Sequence, residues 1–175
     1  LPAGEHTLCA YHNNTDGVTT PGYPTIKVVV DGVTALTGVE QTIRATKESD
    51  AGMSYIRFTA KEGTPVTVQY ISELTDGKTY INSAVAINAL IFDRPNPKTQ
   101  AMNPAPAHRD YHADCDNGSA RLSWTGGSAA VKHHVMFGTS PDMMDEIAVT
   151  AESAYTVSSL TNLSEYFWRI DEEVA

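Results

Sequence analysis

Positive charge is scarce in this sequence. It has 12 Lys and Arg residues against 21 Asp and Glu, a formal net charge of −9 at pH 7, and no run of basic residues. Nucleic acids and anionic membranes are bound largely through neutralisation of their phosphates by Lys and Arg, so the composition argues against both partners. Divided at residue 97, the first part has 7 bases and 10 acids (net −3) and the second has 5 bases and 11 acids (net −6).

Long apolar runs and cysteines are also scarce. The longest apolar stretch, residues 87–92, is interrupted by Asn88 and is much shorter than the ~20 residues that cross a bilayer as a helix, so no membrane span is predicted. The 2 cysteines, Cys9 and Cys115, are too few for a disulfide framework. Two separate buried thiols are the favoured interpretation, and a bridge between the two halves is the alternative.

The sequence has instead 9 Pro and 12 Gly spread along its length, many Thr and Val, and short segments of alternating polarity, which together predict an all-β fold. Residues 25–30 are predicted to form a strand that ends at the hairpin turn Asp31-Gly32. Residues 5–12 also alternate, and residues 85–92 are typical of a central strand. No internal repeat is evident.

The clearest predicted β-hairpin joins residues 54–60 to residues 66–71. The alternation places four apolar side chains inward: Ile56, Phe58, Val68 and Tyr70. Counting outward from the turn, Arg57 comes beside Gln69 and Tyr55 beside Ile71 on the opposite, outward face.

Prolines between residues 93 and 106 interrupt the pattern, and five short alternating segments follow. We therefore predict two consecutive antiparallel β-sandwich modules, residues 1–97 and residues 109–175, joined by a proline-rich linker over residues 98–108.

The second module resembles a fibronectin type III domain. The resemblance rests on Leu122-x-Trp124 and on Leu160 followed six residues later by Tyr166. In that family the tryptophan fills the core, and the tyrosine hydroxyl bonds back to the preceding backbone. Residues 134–142 and 166–172 are similar to the version found in secreted bacterial polysaccharide-degrading enzymes.

The first module resembles a malectin-like or carbohydrate-binding jelly roll through residues 1–8, 11–14, 28–32 and 88–92. The tandem is similar to the region that precedes the catalytic parallel β-helix of some bacterial pectate lyases. The resemblance implies that the jelly roll lacks its first strands, that the fibronectin-like module lacks its last strand, and that any lyase chemistry belongs to a domain outside these residues.

Sugar binding in such modules usually combines an aromatic ring with polar groups for the hydroxyls. The predicted outward row supplies Tyr55 for stacking, Arg57 for a uronate carboxylate and Gln69 for hydroxyls, with Lys27 added if its strand is adjacent. An ordinary solvated sheet face is the alternative.

A second candidate sugar site is the loop over residues 11–17, which begins with Tyr11, His12 and Asn13, because loops at one end of a jelly roll often hold the ligand. Asn and Asp are also ordinary turn formers, which leaves a simple turn as the alternative.

A calcium site is a candidate at Asp114, Asp116 and Asn117, where hard oxygen ligands follow one another as at the start of a calcium loop. The position that would carry the bidentate Glu is Thr125, so a polar turn is the alternative. Zinc at His108, His112 and Cys115 lacks a second ligand pair. No catalytic motif is present.

The resemblance therefore implies a non-catalytic accessory fragment of a secreted bacterial pectate-lyase-like enzyme, located outside the cell, at its surface or in the periplasm. The fragment would hold the enzyme on a pectin-like or other plant polysaccharide and would contact the catalytic domain. The alternative function is a structural spacer or surface interaction module that binds no glycan.

Overall fold

The computed structural model describes residues 1–15, 21–115 and 117–175. These residues form two compact units, Leu1–Arg94 and Pro95–Ala175, called unit 1 and unit 2. The described residues contain thirteen strands and one short 3-10 helix, Glu48–Asp50, which confirms the predicted all-β fold. In the part of the chain that is described, no helix is long and apolar enough to cross a membrane.

Unit 1 is a sandwich of two sheets. Its strands in chain order are β1 Gly4–Asn14, β2 Thr25–Val30, β3 Val33–Val39, β4 Thr42–Ile43, β5 Gly52–Ala60, β6 Val68–Glu73 and β7 Ala89–Phe92. In the first sheet β1 pairs antiparallel with β5 and β7, and β4 runs parallel to the end of β1. The second sheet has the order β3-β2-β6 and is antiparallel.

The core of unit 1 lies between these sheets. The first sheet contributes Leu8, Ile56 and Phe58, and the second contributes Ile26 and Val28. Because side chains alternate along a strand, the residues between these positions face away from the core. Val68 and Tyr70 also pack against this core, so the predicted inward faces of residues 54–60 and 66–71 are correct.

The predicted Asp31-Gly32 turn is also correct. It joins β2 to β3, and both residues have positive φ, 48° for Asp31 and 82° for Gly32. Two consecutive positive φ values are what a two-residue hairpin turn of the right twist needs. The Asp31 carboxylate also accepts a hydrogen bond of 2.8 Å from the backbone N–H of Thr67, just before β6.

The predicted hairpin of residues 54–60 and 66–71 is wrong. β5 pairs with β1 in the first sheet, whereas β6 pairs with β2 in the second. After the turn closed by the Lys61–Thr64 bridge, Pro65 cannot donate to a ladder, and the chain crosses to the other sheet. Alternation fixes which side chains face inward, but it is satisfied equally by a hairpin and by a crossing connection.

The predicted central strand over residues 85–92 is wrong as well. Only Ala89–Phe92 forms a strand, β7, and among the described residues it pairs with β1 alone. Leu90 and Phe92 are 50% and 47% exposed. An apolar run therefore lies at a sheet edge, where one side of the strand stays open to solvent.

Unit 2 is the second sandwich. Its strands are β8 Met102–Ala105, β9 Ser119–Thr125, β10 Ala130–Ser140, β11 Met143–Thr150, β12 Ala154–Ser158 and β13 Phe167–Val174. One sheet has the order β12-β9-β8 and the other β11-β10-β13, and all pairs are antiparallel. The five predicted strands correspond to β9–β13.

The core of unit 2 contains Leu122, Trp124, Val135 and Val157, as expected from the Leu-x-Trp motif. The hydroxyl of Tyr166 accepts a 2.9 Å hydrogen bond from the backbone N–H of Thr161. This is the predicted bond from the tyrosine back to the preceding backbone.

The segment 98–108 differs from the predicted linker. It contains β8, whose Met102 and Ala105 lie opposite Thr125 and Ser123 of β9. Two prolines flank or occupy this strand, which is tolerated because β8 is an edge strand among the described residues. Proline content alone did not distinguish an edge strand from a linker. Cys9 is buried and Cys115 half-buried, and the structure holds no disulfide between them.

Candidate functional site

The outer face of the first sheet of unit 1 brings together three residues from the two predicted sugar sites. Cys9 and Tyr11 of β1 lie opposite Tyr55 and Met53 of β5, and Arg57 lies opposite Thr7. Tyr11, Tyr55 and Arg57, which the sequence analysis assigned to two separate sites, therefore share one surface. We call it the Arg57 face.

Arg94 covers part of this face. Its carbonyl oxygen accepts hydrogen bonds from Thr7 Oγ1 at 3.1 Å and from the Tyr55 hydroxyl at 2.9 Å. Its guanidinium lies 2.6 Å from the Glu48 carboxylate and donates to the Tyr11 hydroxyl at 3.3 Å. We call this set of contacts the Arg94 clasp, because it holds the last residue of unit 1 against the sheet.

The Tyr11 hydroxyl donates a hydrogen bond to Glu48. Burial raises the pKa of Tyr11, and the bond to the carboxylate raises it further. The same bond lowers the pKa of Glu48, with Arg94 adding to the effect. At neutral pH the clasp therefore holds a neutral phenol, a carboxylate and a guanidinium that satisfy one another, which is a stabilising arrangement and a poor source of a phenolate base.

Arg57 differs from Arg94 in being exposed. Its guanidinium has no hydrogen bond or ion pair with any described residue. Tyr55 is two positions away on the same strand and its side chain is half-buried. Positions i and i+2 of a strand lie about 6.5 Å apart on one face. A free planar cation beside a partly exposed ring is an arrangement that can pair with a carboxylate of a sugar ring.

The predicted row of four residues is split between two sheets. Lys27 lies opposite Ile71, and Gln69 lies opposite Val29, all in the second sheet. Tyr55 and Arg57 lie in the first sheet. The outer faces of a sandwich point in opposite directions, so Lys27 and Gln69 cannot contact a ligand held at Arg57.

The predicted loop at residues 11–13 is part of β1. His12 is 0% exposed, with Nδ1 2.8 Å from the Ala86 carbonyl and Nε2 2.9 Å from Ser54 Oγ. A carbonyl can only accept, so Nδ1 carries the proton and Nε2 accepts from the Ser54 hydroxyl. Burial lowers the pKa of His12, and the ring is neutral and inaccessible.

Asn13 is also committed to the fold. Its Oδ1 accepts from the backbone N–H of Ala45 at 2.9 Å, and its Nδ2 donates to the Ala45 carbonyl at 3.1 Å. Residues 16 and 17 of the predicted loop lie outside the described residues. Neither His12 nor Asn13 presents a free polar atom to a ligand.

The predicted calcium site lies partly outside the described residues. Asp116 lies outside them. The side-chain oxygen of Asn117 accepts hydrogen bonds from the backbone and hydroxyl of Ser119, at 3.1 and 2.7 Å, which is turn chemistry. Asp114 has an interaction of its own. Within the described ranges, no three His, Cys, Asp or Glu residues cluster as metal ligands, and calcium stays a prediction.

Sequence reasoning missed Glu48 and Arg94. Glu48 lies in the 3-10 helix Glu48–Asp50, and Arg94 follows β7 at the end of unit 1. They reach Tyr11 across 37 and 83 residues. No local spacing signals contacts of this range. The signal that was present is a basic residue two positions after an apolar strand.

The chain matches no family model and no curated protein. Its fold is similar to a solved structure described as the central fibronectin-III array of RIM-binding protein, with a TM-score of 0.33 and 15% sequence identity. The match covers 98% of this chain and 59% of that chain. Similarity this low carries no argument about function.

Proposed function

We propose that this chain is a non-catalytic accessory region of a secreted bacterial polysaccharide-degrading enzyme of the pectate-lyase type, and that unit 1 binds an acidic glycan at the Arg57 face. The observation that carries the proposal is the exposed Arg57 guanidinium, which has no partner among the described residues, two positions from the ring of Tyr55. The resemblance of residues 134–142 and 166–172 to modules of such enzymes supports the enzyme context.

The chemistry of the face favours a uronate over a neutral sugar. Arginine has a rigid planar fork that pairs with a carboxylate through two parallel hydrogen bonds. The Tyr55 ring supplies a surface for the apolar side of a pyranose. The net charge of −9 repels a polyanion at long range, so binding depends on this local contact and not on the field of the whole chain.

Calorimetric titration with oligogalacturonates and with neutral oligosaccharides tests the proposal. We expect Arg57→Ala to weaken oligogalacturonate binding at least about tenfold, the usual consequence of losing a charged hydrogen-bonding partner. Lys27→Ala is the matched control, because it removes the same charge from the outer face of the opposite sheet.

Equal losses in the two variants would reduce the effect to net charge and would reject the Arg57 face. Binding of neutral and acidic oligosaccharides with one affinity would reject the assignment of a uronate. Unchanged binding by Arg57→Ala would place the glycan elsewhere on the chain.

A structural spacer is the second candidate function. The Arg94 clasp favours it, because the hydroxyls of Tyr11 and Tyr55 already donate hydrogen bonds to Glu48 and to the Arg94 carbonyl. Under this alternative no glycan binds and the melting temperature stays unchanged at saturating oligosaccharide, whereas a ligand that binds the folded state raises it.

A further inference from the structure

The outward side of β5 continues beyond Arg57. Tyr55, Arg57 and Thr59 alternate along the strand with side chains that are buried. Ala60 is 4% exposed and belongs to the buried series, so Lys61 is the next residue on the outward side. We call Tyr55, Arg57, Thr59 and Lys61 the β5 strip.

A tight turn fixes the backbone of Lys61 at the end of the strip. Lys61 and Thr64 form an antiparallel bridge, and the backbone N–H of Thr64 donates to the Lys61 carbonyl at 3.1 Å. Gly63, between them, has a φ of 69°, which glycine adopts without strain. The Lys61 side chain is exposed and, like that of Arg57, has no hydrogen bond or ion pair with any described residue. Two unpaired cations therefore lie on one side of one strand segment.

The spacing of the two cations follows from strand geometry. Lys61 is four positions after Arg57, so their Cα atoms are about 13 Å apart in an extended strand. A uronate residue carries one carboxylate, so a single sugar cannot pair with both side chains. Two residues of one acidic chain can do so.

The local charge of this strip has the opposite sign to the charge of the whole chain. Glu5, Arg57 and Lys61 are the Asp, Glu, Lys and Arg residues of β1 and of residues 52–61. Two cations against one anion leave this pair of strands positive, whereas the whole chain has a net charge of −9. A locally positive surface attracts a polyanion at short range, even on an acidic protein.

We infer that the Arg57 face binds a linear oligouronate that runs along β5, with one carboxylate at Arg57 and the carboxylate of another residue of the same chain at Lys61. The inference rests on the proposed function and adds to it the path and the minimum length of the ligand. The ring of Tyr55 contacts the sugar at the other end of the strip. Once one carboxylate is bound, the second meets Lys61 at a high effective concentration, so longer chains bind more tightly than short ones.

Glu5 weakens the binding of a chain that reaches both cations. It lies opposite Thr59, the residue of the strip between Arg57 and Lys61, and diagonal neighbours on paired strands are about 7–8 Å apart. Its carboxylate therefore repels an acidic chain that passes from one cation to the other. Glu5 also accepts a hydrogen bond from the Thr59 hydroxyl. An amide oxygen can accept the same bond, so Glu5→Gln removes the repulsion and keeps the contact.

NMR titration of the full chain with oligogalacturonates of increasing length tests the inference, because it measures weak as well as tight binding. We expect Arg57→Ala to weaken the binding of short and long oligomers alike. Lys61→Ala should leave the shortest oligomer that binds unchanged and should weaken long oligomers by about threefold, the scale of one exposed charge pair. Glu5→Gln should strengthen the binding of long oligomers.

Two variants are the matched controls. Lys27→Ala removes the same charge as Lys61→Ala, but on the opposite sheet, and Glu165→Gln removes the same charge as Glu5→Gln at an exposed position of unit 2. Neither should change the dependence of affinity on oligomer length. Circular dichroism establishes that each variant is folded, which is expected because Glu5, Arg57 and Lys61 are exposed.

The outcomes separate this inference from the proposed function. Unchanged binding by Arg57→Ala at every length rejects both. If Arg57→Ala weakens binding but Lys61→Ala affects short and long oligomers equally, or neither, the proposed function stands and the path along β5 is overturned. A gain from Glu165→Gln as large as that from Glu5→Gln would reduce the effect to net charge and would also overturn the path.

Discussion

The surroundings of two histidines, His12 and His134, shift their pKa values in opposite directions. Burial lowers the pKa of His12. In contrast, a 2.7 Å bond to Glu146 raises the pKa of His134, and Glu173, 3.4 Å away, adds to the effect. His134 lies on β10 between β11 and β13. When it is protonated, its ion pairs with Glu146 and Glu173 link the three strands.

The stability contributed by His134 depends on pH. Because its folded-state pKa is raised above 6.5, the contribution is complete below about pH 6.5 and is lost as the pH rises through the folded-state pKa. We expect His134→Gln to lower the melting temperature of unit 2 at about pH 5.5 and to have little effect at about pH 9.

Thermal unfolding of unit 2, followed by tryptophan fluorescence at each pH, gives this comparison of melting temperatures. His112→Gln, at an exposed loop position of the same unit, is the control and should give a difference that does not change with pH. A His134→Gln effect of one size across the whole pH range would show that the imidazolium ion pairs contribute nothing.

At the level of elements, the turn between β2 and β3 combines two requirements in one residue. Asp31 has a φ of 48° and accepts the bond from Thr67 that fixes the start of β6. We expect Asp31→Ala to destabilise unit 1 by about 1–2 kcal/mol, since it loses both the hydrogen bond and a residue that tolerates positive φ.

Asp31→Asn keeps the accepting oxygen and the conformational tolerance, so it should lie close to the original chain. Urea unfolding followed by circular dichroism measures both variants. Equal losses in Asp31→Ala and Asp31→Asn would mean that the carboxylate charge, and not the bond to Thr67, is what matters.

The positions of the strands could be predicted from the sequence far better than the pairing between them. Alternation placed Ile56 and Phe58 in the core correctly, yet β5 pairs with β1 and not with β6. The positions of strands are local properties of the sequence. Pairing depends on where the chain crosses between sheets, and the Arg94 clasp depends on contacts over 83 residues.

A short motif repeated in the two units was also missed. Leu160-Thr161 precedes Tyr166 as Leu74-Thr75 precedes Tyr80. The backbone N–H of Thr75 donates to the Tyr80 hydroxyl at 3.3 Å, as that of Thr161 donates to Tyr166. The two units therefore use the same local bond, after β6 in unit 1 and after β12 in unit 2.

At the level of the whole molecule, each core is made of residues from one unit, and the 2 tryptophans of the sequence, Trp124 and Trp168, are both in unit 2. Tryptophan fluorescence therefore reports the unfolding of unit 2. We expect Leu122→Ala to lower the fluorescence midpoint by an amount corresponding to about 2–5 kcal/mol, the usual cost of such a cavity.

Ile56→Ala makes a comparable cavity in unit 1 and is the matched control. It should shift the circular dichroism transition while leaving the fluorescence midpoint in place. A fluorescence shift as large as that of Leu122→Ala would mean that the two units unfold as one cooperative body.

The Arg94 clasp has a mechanical consequence. β1 and β7 are adjacent and antiparallel, with Leu8 opposite Phe92, so the start of β1 and the end of β7 lie at the same end of one strand pair. Tension applied between these two points would separate the strands one residue pair at a time, beginning at this end. The bonds from Thr7 and Tyr55 to the Arg94 carbonyl, and that from His6 to Asp93, lie where the load arrives first. These hydrogen bonds have to break before β1 and β7 can separate.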